Sequence, residues 1–275
     1  LEPFALEITQ IVLLAIVQGL SELLPISSSG HLVLTPLVFG YELQSLAFDV
    51  ALHIGTLAAV MAYFRREIAA MLGAFLESLA QRRIVSPDAR LAWMIVVATL
   101  PLVALGLPLK ALLEMLRGDE QLITLVIGCN IIGFGLLLGI GDRLGRRDRD
   151  EFSVGWRQAL IIGLCQAIAI IPGTSRSGVT MTAALFLGLT RKAAARFSFL
   201  LSIPAILMAG SLAGLELIQS ADPVDWQPFL LGALIAFAVA YLTIHFFLTF
   251  IERIGMMPFV IYRLLVGAFI LLVVV

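Results

Sequence analysis

Two short polar runs hold most of the residues in this chain that can do chemistry. The first is Pro25-Ile26-Ser27-Ser28-Ser29-Gly30-His31, preceded by Gln18 and Glu22; the second is Pro172-Gly173-Thr174-Ser175-Arg176-Ser177-Gly178. Glu22 is the sole charge between Ile8 and Leu24, and Gln18, four residues earlier, shares its face on a helix. Ser27, Ser28, Ser29 and Gly30 lead into a helix expected to begin near His31. Their hydroxyls and free backbone N–H groups form a helix start of the kind that attracts phosphate. His31 can serve as acid, base or nucleophile near neutral pH. Arg176 is the sole charge between Gln158 and Arg191, set among Thr174, Ser175, Ser177 and Gly178 at a second helix start. A guanidinium there can clamp phosphate with two parallel hydrogen bonds. A resting ion pair between Arg176 and Glu22 is compatible with that role, provided it opens for substrate.

The elements that position these residues are apolar throughout. Of 275 residues, 60% are hydrophobic and 13% charged, with a mean hydropathy of +1.04; soluble domains carry about 25% charged residues. The apolar runs recur along the whole chain, so residues 1–275 are expected to form a single integral membrane domain, all-α and polytopic. A net charge of -1 gives no basis for nucleic-acid binding. Cys129 and Cys165 stand singly in apolar segments without metal-ligand spacing and read as small buried residues. Glu2 and Glu7, with no basic flank, do not suggest a cleaved signal peptide.

A spanning helix needs about 20 apolar residues. Six segments approach that standard: 48–64, 91–109, 121–141, 197–218, 228–251 and 256–275. Residues 8–40 and 157–189 are apolar as well, but each is broken at its centre by one of the polar runs, and the halves are too short to cross. Irregular backbone at membrane depth is tolerated only where protein or a water-filled cavity satisfies its polar groups. Each broken stretch therefore reads as a re-entrant helical hairpin, which gives about ten helices in all.

Basic residues set the orientation. Arg65, Arg66, Arg82, Arg83 and Arg90 fall in one expected loop, Arg143, Arg146, Arg147, Arg149 and Arg157 in another, and Arg191, Lys192, Arg196 and Arg253 lie on the same side by the span count. Only Lys110 and Arg117 mark the opposite side. The basic side should be cytoplasmic, with the first hairpin dipping in from outside and the second from the cytoplasm.

Each half thus consists of one hairpin followed by three spans, approximately 8–141 and 157–275, and an odd number of spans places the halves in opposite orientations. This is the plan of an inverted repeat. Spacing agrees: Gln18 to Gly30 and Gln166 to Gly178 are both twelve positions, Gly30 to Gly40 and Gly178 to Gly188 both ten. The two polar tips should meet near the midplane.

Other polar residues in the spans give weaker signals. His53 and His245 read as satisfied core or interface histidines, and Gly135 and Gly139 as close helix packing. Asp49 falls near the outer edge of the expected cavity without a role. Arg263, in the last span, is costly there and has no partner that the sequence names.

Gln18-Gly19-Leu20-Ser21-Glu22-Leu23-Leu24-Pro25 running into Ser27-Ser28-Ser29-Gly30-His31, together with Pro172-Gly173-Thr174-Ser175-Arg176-Ser177-Gly178, resembles the bacterial undecaprenyl-diphosphate phosphatases associated with bacitracin resistance. Phe48-Asp49-Val50-Ala51-Leu52-His53 and Ile261-Tyr262-Arg263 are secondary matches, and the likeness covers essentially the whole chain. The family's first motif has Glu or Gln, three residues, then Glu; this chain takes the Gln form, leaving Glu22 as the only carboxylate there.

The resemblance implies hydrolysis of undecaprenyl diphosphate to the monophosphate and inorganic phosphate, recycling the lipid carrier for cell-wall synthesis. It implies a bacterial inner-membrane protein with a site open to the periplasm, a divalent cation, and Glu22, Ser28, His31 and Arg176 as core site residues. Mg2+ or Ca2+ would be held by Glu22 and Gln18, and Ser27, Ser29, Gly30, Thr174, Ser175, Ser177 and Gly178 would surround the phosphates. Ser28 can attack with His31 as base, His31 can attack directly, or His31 can activate water; the sequence does not separate the three. The expected partners are the lipid substrate and the surrounding lipids, and a homodimer is compatible with the sequence. A carrier or flippase for polyprenyl phosphate is the alternative, because broken helices in inverted repeats are also a transporter plan.

Overall fold

The structure, a computed structural model, describes residues 7–116, 120–219 and 226–273. Glu2, Arg117 and the last two residues of the expected final span lie outside them. Among the described residues the chain is helical, with eleven α-helices and a short 3-10 turn at Glu151–Ser153.

The first broken stretch forms α1 (Ile8–Ser21) and α2 (Ser28–Phe39), and the second forms α7 (Trp156–Ile168) and α8 (Arg176–Phe186). These helices have 14, 12, 13 and 11 residues. At 1.5 Å per residue they reach about 16–21 Å, well short of a hydrocarbon core about 30 Å thick. Both hairpins close on themselves at the mouth. Gln10 Nε2 donates to Glu42 O (2.9 Å) and Tyr41 Oη to Thr9 Oγ1 (3.3 Å), while Arg149 joins Leu187 O (3.4 Å), Ser153 O (2.6 Å) and Gln158 Oε1 (3.1 Å). The spans run between these mouths: α3 (Leu46–Tyr63) starts beside the first and ends near Arg196, whose guanidinium lies over the Phe64 ring.

The remaining helices are α4 (Arg65–Gln81), α5 (Pro87–Leu116), α6 (Glu120–Leu144), α9 (Arg191–Gln219), α10 (Trp226–Ile254) and α11 (Met257–Val273). Four of the six expected spans, within Pro87–Gly106, Gln121–Leu144, Arg191–Ser211 and Trp226–Ile254, are long and apolar enough to cross a membrane. A fifth is reached if α3 and α4, bent by 78° at Phe64, count as one, and the sixth, α11, is a shorter apolar helix.

Residues 65–81, expected to lie in a basic loop, are helical. Met71 and Ser78, two turns apart, face inward, and Trp93 of α5 packs tilted against Phe75 and donates from Nε1 to Ser78 Oγ (2.9 Å). The arginines at the two ends of α4 give the segment its loop-like composition. A second correction concerns the cysteines: Cys129 is exposed and Cys165 partly buried.

The basic end is fastened by ion pairs. Asp142 of α6 accepts from Arg191 at 2.5 and 3.0 Å and from the Met256 N–H at 3.1 Å, so α6, α9 and α11 meet there. Arg196 pairs with Glu151 and lies 3.8 Å from Glu67. Helix pairing exchanges between the halves: α1 packs on α10 as α7 packs on α5, and α6 packs on α11 as α3 packs on α9.

Two helix pairs approach so closely that only glycine fits between them. A Cβ on Gly55 would lie 2.2 Å from Ala233 O, and one on Gly163 2.2 Å from Ala98 O. At the centre, Arg263 of α11 is fully buried and donates to Pro25 O (3.2 Å) of the first hairpin tip and to Gly173 O (3.0 Å) and Thr174 O (3.2 Å) of the second. It also donates to Ile131 O (2.9 Å) and Asn130 O (3.2 Å) of α6. This answers the partner question the sequence leaves open: the partners are carbonyls.

Gly55→Val and Gly163→Val should each destabilise the fold by about 1–3 kcal/mol or more through overpacking. Gly73→Ala, where a Cβ meets nothing within 4 Å, should be neutral or slightly stabilising because Ala is the better helix former. Thermal unfolding midpoints in detergent will show this ordering. Arg263→Met leaves the turn carbonyls of Pro25, Gly173 and Thr174 without this donor, and one buried unsatisfied group already costs about 1–3 kcal/mol. Its midpoint should fall further than that of Arg263→Lys, which keeps a charge and three donors.

Candidate active site

The hairpin tips meet where α1 ends. Helix α1 runs out at Ser21, the Glu22 N–H still bonding to Gln18 O, before Pro25 enters the turn. Ser27 then takes φ 76°, and its counterpart Ser175 takes φ 70° ahead of α8. Left-handed backbone at a non-glycine residue costs on the order of 1–3 kcal/mol and persists where surrounding contacts enforce it. In both turns the serine hydroxyl lies close to that of the serine two residues on, Ser27 to Ser29 at 3.4 Å and Ser175 to Ser177 at 3.3 Å. Ser175 Oγ also caps α8 by accepting from Gly178 N at 3.1 Å; α2 has no side-chain cap. Gly178 is confined, since a Cβ there would lie 3.0 Å from both Arg263 Nη1 and Ser175 Oγ.

Glu22, 7% exposed, is the hub. Its Oε1 accepts from Arg176 Nη2 at 2.8 Å, the ion pair that joins the two hairpins. Its Oε2 accepts from Ser28 Oγ at 2.7 Å and from Gln18 Nε2 at 3.2 Å. Arg176 is held in turn by Nη1 on Ser198 O (3.1 Å) of α9. Gln18, Glu22, Ser28 and Arg176 are thus brought together. The Arg176 guanidinium on Oε1 favours the charged carboxylate, and the oxygen beside Ser28 is placed to take the hydroxyl proton.

Other expected site residues are turned elsewhere. His31 does not reach Ser28: its Nδ1 lies 2.7 Å from Ser27 O and its Nε2 2.6 Å from Tyr262 Oη, with the two rings stacked. Because a carbonyl only accepts, Nδ1 carries the hydrogen and Nε2 accepts from the phenol. Ser177 Oγ donates to Leu24 O (2.9 Å), a second tie between the tips. Ser29 is exposed and Gly30 buried at the first turn of α2. Thr174 is fully buried, and its Oγ1 has no partner.

Sequence reasoning passed over two side chains that touch this cluster. One is Tyr262, on His31; the other is His53 of α3, whose Nε2 lies 3.4 Å from Glu22 Oε2. Both stand in secondary stretches of the resemblance, which was the available signal, but neither residue type nor local spacing points to the hairpins.

Among the described residues no three His, Cys, Asp or Glu side chains cluster as a metal cage. The oxygen donors suited to a hard cation are Glu22 and Gln18 Oε1, the latter buried and without a partner.

Known proteins are similar to this chain over nearly its whole length. The undecaprenyl-diphosphatase 2 of Stutzerimonas stutzeri (strain A1501) is 52% identical over 269 residues, covering 97% of this chain and 98% of its own. The undecaprenyl-diphosphatase of Nitrosococcus oceani is 51% identical over 264 residues, 96% of this chain and 97% of its own. The family model for the bacitracin resistance protein BacA matches residues 11–269, a stretch that contains both hairpin tips, the Glu22–Arg176 pair and the Arg263 tie. The chain therefore belongs to the BacA family of bacitracin resistance proteins.

Proposed function

We propose that this membrane protein hydrolyses undecaprenyl diphosphate to undecaprenyl phosphate and inorganic phosphate, thereby returning the lipid carrier to cell-wall synthesis and conferring bacitracin resistance. The names of its full-length relatives support that reading. The observation that carries it to particular residues is the Glu22–Arg176 pair with Ser28 on the free side of the carboxylate. A clamp for phosphate, a base and a hydroxyl then lie within hydrogen-bond reach of one another, inside an apolar protein.

In this reading Arg176 turns from Glu22 to the diphosphate, where its guanidinium and the uncapped N-terminus of α2 offset charge developing on the transferred phosphoryl group. Ser28 Oγ attacks the terminal phosphorus and passes its proton to Glu22 Oε2. The anhydride P–O bond breaks, and its bridging oxygen leaves with undecaprenyl phosphate. Water then attacks the phosphoserine, the bond from phosphorus to Ser28 Oγ breaks, and Glu22 returns its proton to that oxygen, which restores hydroxyl and carboxylate as inorganic phosphate leaves. The three routes open in the sequence all use His31; the 2.7 Å Ser28–Glu22 contact favours the serine attack among them, with Glu22 in place of His31 as the base. Glu22 and Gln18 Oε1 are the residues that would hold Mg2+ or Ca2+ arriving with the diphosphate, whose oxygens complete the shell. Such a cation supplies charge neutralisation on the phosphates.

The two halves are read as inverted repeats, their hairpins entering from opposite faces of a bacterial inner membrane. With the basic end cytoplasmic, the first hairpin opens toward the periplasm and presents the site there, and the isoprenoid tail stays in lipid.

The test is phosphate release from a polyprenyl diphosphate by detergent-purified protein, with Mg2+, Ca2+ or EDTA. Wild type should turn over, and Arg176→Ala, Glu22→Ala and Ser28→Ala should each lose on the order of a hundredfold or more in kcat, the size expected for loss of a transition-state donor or nucleophile. No release by folded wild type would overturn the hydrolase reading in favour of a lipid carrier. Near-normal release by Ser28→Ala alone would move the attack to water or His31.

A further inference from the structure

A re-entrant helix that stops partway leaves its neighbour uncovered beyond the stop. Helix α1 packs along α10 but ends at Ser21, while α10 continues to Ile254 at the basic end. Gly19 fixes the level at which the two touch, since a Cβ there would lie 2.7 Å from Val239 Cβ. From Val239 to Ile254, at helical steps of three and four, one face of α10 lines a cavity of about 460 Å³ that starts beside α1 and continues past its end. At 1.5 Å per residue that face is about 22 Å long.

The walls of this groove are apolar. Phe246 and Phe250, exposed and one turn apart, stack with ring centres 6.4 Å apart, and the buried Phe247 meets Phe259 of α11 edge-on at 5.5 Å. Thr243, the hydroxyl among the lining residues, donates to Val239 O (2.8 Å) and offers no free donor. At the head of the groove stand Leu20 and Leu24, two residues before and two after Glu22. The groove thus begins at the immediate neighbours of the site carboxylate and runs away from the hairpin mouth, where Gln10 meets Glu42. A lipid whose charged head lies between the hairpin tips must lead its tail out of that junction, and this apolar surface starts there. A second apolar cavity, of about 400 Å³ between α4, α5 and α9, contains no hairpin residue.

We propose that the groove is the subsite for the tail of a polyprenyl diphosphate: the isoprene units nearest the head lie along Leu20, Leu24 and the open face of α10, and the rest of the chain passes into the bilayer. The proposal rests on the hydrolase reading above. Lipid tails are as apolar as leucine, so moving a tail from lipid to the groove gains nothing from the hydrophobic effect. What the groove supplies is close packing against methyl-branched, unsaturated units and a fixed direction, which orients the diphosphate toward Ser28.

The experiment measures kcat/KM in detergent for undecaprenyl diphosphate and for a diphosphate of two isoprene units, with wild type, the double variant Phe246→Ala/Phe250→Ala, Ile254→Trp, and Leu72→Ala in the second cavity. The ratio of the long-chain to the short-chain value is the readout: micelle partition of each substrate is common to all variants, and a folding defect lowers both values together. The double variant should lower the ratio about tenfold, the size expected when two ring contacts are lost, through KM of the long substrate. Ile254→Trp, which narrows the far end of the groove, should move it in the same direction, and Leu72→Ala should leave it unchanged. Wild-type ratios in both groove variants overturn the proposal and leave the groove to ordinary lipid chains. An equal fall in Leu72→Ala overturns it as well, because loss of any lipid-facing apolar surface would then suffice. Wild type that turns over neither substrate is a different result, since it removes the hydrolase reading itself and the tail subsite with it.

Discussion

Two helical hairpins that stop inside an apolar interior leave carbonyls at their turns with no water to bind, and Arg263 is the donor that answers them. Its planar guanidinium, with no carboxylate as partner, is spread over Pro25 of one tip, Gly173 and Thr174 of the other, and Ile131 and Asn130 of α6. Irregular backbone at such depth is stable only when protein satisfies it, and one side chain satisfies both tips at once. The approach of the tips, and so every cross-hairpin distance in the site, follows from that. The Ser177 bond to Leu24 O and the Glu22–Arg176 pair span the same junction. The strained φ of Ser27 and Ser175 can persist because both ends of each turn are fixed.

The same geometry biases the site electrostatically. Around one carboxylate stand Arg176 and His53, with Arg263 beneath the turns and the start of α2 uncapped. Charges in a low-dielectric setting act strongly on one another. The ion pair with Glu22 holds Arg176 in place at the junction of the two tips.

Much of this was legible in the sequence because the cost of burying polarity shows in composition. Lone charges such as Glu22 and Arg176, and Pro-Gly-Ser runs inside apolar stretches, identified both hairpins and the pair that joins them. What stayed hidden had its partners in the backbone or on remote helices. Arg263 reads as an isolated charge because it binds carbonyls, which every residue has. His53 reads as a core histidine because its contact to Glu22 arises only once α3 packs beside the first hairpin. His31 stood beside Ser28 in the chain, yet α2 turns its ring to Tyr262, more than two hundred residues away. Helix α4 was hidden for the opposite reason: arginines at both ends made an amphipathic helix look like a solvated loop.

The two hairpin turns resemble each other but carry different chemistry. Ser27 corresponds to Ser175 and Gly30 to Gly178, with the same left-handed turn and paired hydroxyls in each. At the next positions the correspondence breaks: Ser28 stands opposite Arg176 and Glu22 opposite Ile170. One half thus carries the hydroxyl and its carboxylate, the other the guanidinium. Gln166 bears the mark of that division. Its counterpart Gln18 donates to Glu22 one turn on, whereas Gln166 has Ile170 there, and both its amide atoms are buried without a partner. An unsatisfied buried amide costs about 1–3 kcal/mol. With a carboxylate four residues on only in the first hairpin, the second hairpin's glutamine is left unpaired and carries that cost.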